Sequence, residues 1–156
     1  MDTSIELCRD VRKASRVFLI GNGGSAANAA HICNDLETCG IRAYVMNEAT
    51  KSAWENDYEH ADVFARWINL HGESEDLLIV LSGSGNSPNI LEAIRAAKKK
   101  TMTTWAIIGA WKDGNGRLGK ASRSAHHVIA RGANMQSAEE WQLRIGHEVM
   151  RCLKAG

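Results

Sequence analysis

The sequence predicts an α/β domain built on a mainly parallel sheet. Five short apolar runs recur along the chain, and helical patterns separate most of them. The runs cover residues 17–20, 43–46, 77–81, 105–108 and 128–130. They are rich in Val, Ile and Leu without clear alternation, the pattern of strands buried on both faces of a sheet. Alternating strands and helices with short links favour parallel pairing. In such sheets ligands bind beyond the carboxyl ends of the strands, so the loops there are where chemistry is sought.

Taken in order, the first helical pattern spans 5–14, with Ile5, Leu7, Cys8 and Val11 as its apolar positions. A strand and a glycine-rich loop follow, then an Ala-rich helix over 25–38. After the second strand, Trp54 and Asn56-Asp57 are read as loop, and a helix over 61–69 gathers Val63, Phe64, Trp67 and Ile68 on one side. The third strand leads to a serine-rich loop and a helix over 88–99, with Ile90, Leu91, Ile94 and Ala97 at helical spacing. Pro88 opens that helix, where its missing N–H costs nothing. Lys98-Lys99-Lys100 decorates its end, where cations suit the dipole. Gly114-Asn115-Gly116, after the fourth strand, reads as a turn bordering the site. The last helix is expected over 137–153, opened by the capping-box pattern Ser137-x-x-Glu140.

Composition narrows the function classes. The chain has 156 residues, close to the ~150 of an average domain, so residues 1–156 are read as a single domain. Nineteen Lys+Arg against eighteen Asp+Glu give a formal charge of +1, which leaves no electrostatic footprint for nucleic acid or a membrane surface. No apolar run approaches the ~18 residues of a membrane span, and MDTSIELCRDVRKASR lacks a signal peptide's apolar stretch. A cytoplasmic protein is expected. The four cysteines (Cys8, Cys33, Cys39 and Cys152) show no CxxC or finger spacing and are read as buried or inert thiols. Fourteen glycines stand against a single proline, and the glycines cluster.

Two loops carry the signal. Gly21-Asn22-Gly23-Gly24-Ser25 runs from the first strand straight into a helix. Glycines let backbone approach an anion closely, and the helix start offers free N–H groups. Ser82-Gly83-Ser84-Gly85-Asn86-Ser87-Pro88 follows the third strand and opens a helix in the same way. It holds no lysine or arginine, so it would bind a phosphate through neutral hydrogen bonds. A rival reading takes Gly21-x-Gly23-x-x-Ala26, with Glu48 beyond the second strand, as a dinucleotide fingerprint. It leaves the serine loop unexplained and the chain without room for a substrate domain.

The pair GNGGSAANAAH and SGSGNSPN, on strands one and three, resembles the sugar isomerase (SIS) domain family, and within it the phosphoheptose isomerase group. The resemblance runs from about Val17 to the end of the chain. It implies a three-layer α/β/α sandwich around a five-stranded parallel sheet, flavodoxin-like in kind. It also implies a homo-oligomer, tetramer or dimer, with active sites at subunit interfaces. The implied reaction is aldose–ketose isomerisation of a phosphosugar, sedoheptulose 7-phosphate to a heptose 7-phosphate. The alternative is a non-catalytic phosphosugar-binding or regulatory protein, the replication-initiator-associating type included. Position by position, Ser82, Ser84 and Ser87, with Gly83, would hold the phosphate, and Asn22, Gly23, Gly24, Ser25, Asn56 and Asp57 would line the sugar. His31, Asp35, Glu139 and His147 would form the catalytic cluster and hold one zinc ion per subunit, with Asp35 and Glu139 also touching substrate. Asp35 stands where that group usually has Glu, Glu139 where it has Gln, and Gly83 where it has a hydroxyl residue. The chain also lacks the additional N-terminal helix of the group's subunit interface.

The residues themselves fit that chemistry. Isomerisation through an enediolate needs a base at carbon, an acid/base at oxygen and stabilisation of the oxyanion. His31 and Asp35, four apart on a helix, share one face. Asp35 is read as the base and His147 as the acid/base. Glu139 and His147 pose a geometric problem, because eight residues of helix separate them by about 12 Å. Either the helix starts after Glu139, or the two serve sites in different subunits. His126-His127 is read as structural, and His60 and His71 as isolated and solvated.

Overall fold

The computed structural model describes residues 2–156. Its strands are β1 (Val17–Gly21), β2 (Ala43–Val45), β3 (Leu77–Ser82), β4 (Thr103–Ile108) and β5 (His127–Ala130). They pair in parallel throughout, in the order β2-β1-β3-β4-β5. The helices are α1 (Thr3–Lys13), α2 (Gly24–Thr38), α3 (Glu48–Asp57), α4 (Val63–His71), α5 (Pro88–Lys99), α6 (Ala121–Ser124) and α7 (Met135–Ala155). One face of the sheet packs on α1, α2 and α7 through Leu19, Ile79, Trp105 and Ile107. The other packs on α4 and α5 through Phe18, Val80, Ala106 and Ile108. Successive strand residues thus enter opposite cores, which is why the runs lack polar alternation.

The chain order reverses direction between β1 and β3, and their loops lie side by side at that switch point, the place where such sheets open a crevice. Gly23, at φ +55°, and Gly85, at φ +66°, sit in the left-handed region that only glycine enters readily. These two positions let each strand turn into its helix.

Four local expectations are corrected. Residues 48–57 form α3 rather than a loop, so Asn56 and Asp57 lie on the last turn of a helix. Asn47 caps α3 through the backbone N–H groups of Ala49 and Thr50, and a Lys51–Glu55 pair braces its surface. No residue of α3 is buried, so no apolar period announced it. The capping box of α7 is Asn134 with Ser137, not Ser137 with Glu140. Cys8 and Cys152 are not separate thiols: packing of α1 against α7 brings their Cα atoms to 6.4 Å, and they form a disulfide. Cys33 fits the inert reading, since burial pushes its thiol up to about 11. His60 is also not isolated, lying 3.1 Å from Glu55.

Candidate active site

Helices α2 and α7 build the site together. They approach closely because Gly146 of α7 offers no side chain where Ile32 of α2 packs, and a Cβ there would overlap Ile32. At the loop end of this pair, a polar network is fully engaged. Gln142, completely buried, donates from Nε2 to Ser25 Oγ at 3.0 Å and accepts from Asn28 Nδ2 at 2.9 Å. Asn28 also donates to the Glu139 carbonyl at 2.9 Å. The Ser25 hydroxyl therefore ties helix to helix.

Two and three turns further along α2, His31 and Asp35 meet His147 of α7. The Nε2 atoms of His31 and His147 stand 3.2 Å apart. Asp35 Oδ2 lies 3.4 Å from the first and 3.6 Å from the second. That oxygen is buried and has no hydrogen bond, a costly state for a carboxylate. Ligands bound to zinc at ~2.0–2.1 Å in tetrahedral geometry lie about 3.3 Å from one another. The three separations bracket that value, and two imidazoles with one carboxylate are a donor set suited to a divalent cation. The imidazole edges of His31 and His147 are half open to solvent, at 51% and 40% side-chain exposure, so a fourth position is accessible.

Glu139 is not brought to this group. The helix α7 is unbroken from Met135, so the possibility that it begins after Glu139 is excluded. Its carboxylate instead covers Gly24: a Cβ there would lie 2.5–2.7 Å from the Glu139 carboxyl atoms. Glu139 thus closes one side of the glycine loop, about 12 Å along the helix axis from His147.

The serine loop is stitched beside the glycine loop. Asn22 and Asn89 exchange two side-chain hydrogen bonds, at 2.9 and 2.8 Å, which lock the loop after β1 to the start of α5. The side chain of Asn22 is therefore held by Asn89. Ser82 is buried and its Oγ accepts from the Gly85 N–H, and Ser84 Oγ accepts from the Asn86 N–H. Ser87 caps α5 by position, without a side-chain hydrogen bond to the helix. Gly83 leaves room for Met135, whose Sδ a Cβ at 83 would overlap. Asn56 and Asp57 are exposed at the far end of α3. Asn28, Asn89 and Gln142 received no role from sequence reasoning. Their one signal is a polar residue at an apolar-phase position of a helix.

A family model, the SIS domain, matches residues 2–109. The chain belongs to the SIS domain family. Among curated relatives it is 36% identical over 145 residues to the phosphoheptose isomerase of Rhodospirillum rubrum, covering 88% of this chain and 74% of that protein. It is 31% identical to the phosphoheptose isomerase of Campylobacter jejuni, covering 96% and 82%. The structure of phosphoheptose isomerase GmhA from Neisseria gonorrhoeae shares the fold, with a TM-score of 0.83 at 24% identity over 99% of this chain and 84% of that one.

Proposed function

We propose that the protein is an aldose–ketose isomerase of a phosphosugar, converting sedoheptulose 7-phosphate to a heptose 7-phosphate. The observation that carries this reading is the buried Asp35 oxygen, unbonded between two imidazoles. Such a carboxylate is poised to take a proton or a cation, and the relatives at 31–36% identity are phosphoheptose isomerases.

Asp35 removes a proton from one carbon of the bound ketose and returns it to the neighbouring carbon. His147 moves the second proton between the two oxygens, giving it to the carbonyl oxygen as the enediol forms. No atom is gained or lost. His31, Asp35 and His147 would hold a zinc ion, which would supply positive charge to the developing oxyanion; its binding competes with proton transfer by Asp35 and His147, since a carboxylate on zinc is a poorer base. Glu139, over Gly24, accepts hydrogen bonds from sugar hydroxyls, and Ser82, Ser84 and Ser87 hold the phosphate. The remaining roles assigned by resemblance, to Asn22, Gly23, Asn56 and Asp57, belong to this same sugar-lining set.

The reading also takes the chain as a cytoplasmic homo-oligomer. Along one unbroken α2, Asp35 lies about 16 Å from Gly24. A site shared between copies brings the cluster of one to the loops of another, and lets Glu139 and His147 serve different sites.

The test is an isomerase assay over a panel of ketose phosphates, with added zinc and with chelator. Turnover of the seven-carbon ketose supports the proposal. Tight binding with no turnover of any member replaces it with a phosphosugar-binding role. Mixing Asp35→Asn subunits with Ser84→Ala/Ser87→Ala subunits restores part of the activity only if sites are shared.

A further inference from the structure

The serine loop has a second flank. Towards β1 it meets the glycine loop; towards β4 it borders a cavity of about 420 Å³ that none of the assigned site residues except Ser84 lines. Ser84 and Asn86 of the loop line it together with Trp111 and a cationic segment that carries Arg117, Lys120 and Arg123. This segment is bonded directly to the loop. The Lys120 N–H donates to Asn86 Oδ1 at 2.8 Å, and the Ala121 N–H donates to the Gly85 carbonyl at 2.8 Å. Trp111 lies over Gly109, where a Cβ would overlap its ring, and its Cη2 comes within van der Waals reach of position 83 in the serine loop.

The charges of this segment are unneutralised. Among the described residues no hydrogen bond or ion pair engages the side-chain nitrogens of Arg117 or Lys120. Arg123 donates to the Leu118 carbonyl at 3.3 Å and keeps its charge. The one carboxylate lining the cavity, Asp113, accepts two backbone N–H bonds, from Asn115 and Arg117, which hold the turn. Three cations against one engaged carboxylate leave a net positive cavity. Its mouth is a loop whose own donors are all neutral.

We infer that this cavity is the part of the phosphate site that supplies charge: Arg117 and Lys120 face the phosphate dianion across Ser84 and set the preference for a phosphorylated over a free sugar. The inference rests on the phosphosugar reading above. A phosphate held by hydroxyl and amide donors alone gains neutral hydrogen bonds. Charge-assisted bonds from a guanidinium or ammonium are about twice as strong, and an exposed cationic rim also steers an anion inward.

The experiment titrates inorganic phosphate into the protein and into an Arg117→Gln/Lys120→Gln variant by calorimetry, then measures phosphate as an inhibitor of ketose phosphate turnover. Both side chains are exposed and unpartnered, so the variant keeps its fold, checked by an unchanged Tm. The expected result is a loss of phosphate affinity of about tenfold or more. It comes with a matching rise in KM for the ketose phosphate and a weaker dependence of both on salt. Equal phosphate affinity in the two proteins, or phosphate that binds without competing with the substrate, overturns the inference. If the protein turns over no ketose phosphate, the isomerase reading falls. The direct titration, with competition against bound ketose phosphate, still decides whether Arg117 and Lys120 form the anion site.

Discussion

The chain holds two histidine pairs, and their surroundings differ. His126 and His127 open β5, and the sheet occupies both. His126 Nδ1 accepts the Thr104 N–H at 3.2 Å, while the His127 ring stacks on Trp105 with centroids 4.6 Å apart. Trp105 in turn donates to Asp10 Oδ2 at 2.8 Å. His31 and His147 have no such partners. They face each other and a carboxylate oxygen that no hydrogen bond satisfies. All four rings are partly open to solvent, so exposure does not separate them. What separates them is whether the fold itself supplies the polar partner. Where it does, a histidine is structural. Where it leaves two imidazoles and a buried carboxylate to one another, the group is open to a partner from outside.

The sharpest way to break this contrast is at Asp35. Asp35→Asn removes the base and keeps the shape, so kcat on sedoheptulose 7-phosphate should fall by more than about a hundredfold, with phosphosugar binding retained. His147→Asn should do the same. Wild-type turnover in both variants would remove the functional half of the comparison. The next effect is on metal. One zinc ion should bind per subunit, read by competition with a chromophoric chelator. His31→Ala should weaken it by more than about tenfold, because even outer partners of metal ligands are worth that much. His127→Ala should leave zinc affinity unchanged. Equal loss in both would mean that the two pairs are not distinct.

How much of this was visible in the sequence follows from the same distinction. Strands buried on both faces show as unbroken apolar runs, and the loops after β1 and β3 show as glycine and serine clusters, so the sheet and its crevice were legible. The His31/Asp35 pair was legible because helical spacing is local. Helix α3 was not, because it buries nothing and rests on a cap and a surface ion pair. Nor was the Cys8–Cys152 bond, whose partners lie 144 residues apart. The place of Glu139 needed the register of α7 against α2, which no one-dimensional pattern contains. The pairing of the Asn22 amide with Asn89, 67 residues away, likewise had no local signal.

A smaller effect probes the structural pair. His127→Ala removes an offset-stacked ring from Trp105 and should lower stability by about 1 kcal/mol, read from the urea midpoint. Turnover should be untouched, since the stack lies at the start of β5, the end of the sheet opposite the glycine and serine loops. A larger loss of turnover than of stability would reassign this pair to the site.

The smallest effect concerns the proton on His126. Its pKa is lowered from the ordinary 6.5, first by desolvation, then by Lys98 and by His127. Geometry agrees, because Nδ1 accepts the Thr104 N–H and cannot do so once protonated. The folded state therefore disfavours the charged form more than the unfolded chain does. The stability tied to the neutral ring is fully present above the unfolded value of 6.5, and is lost as pH falls through the folded value. His126→Gln keeps an acceptor without a titrating group. It should flatten the fall in Tm between about pH 7 and 5, while leaving the value at pH 8 nearly unchanged. An identical acid slope in the variant would mean that His126 is no more constrained than a solvated imidazole. The difference between a satisfied and an unsatisfied histidine would then rest on the stacked His127 alone.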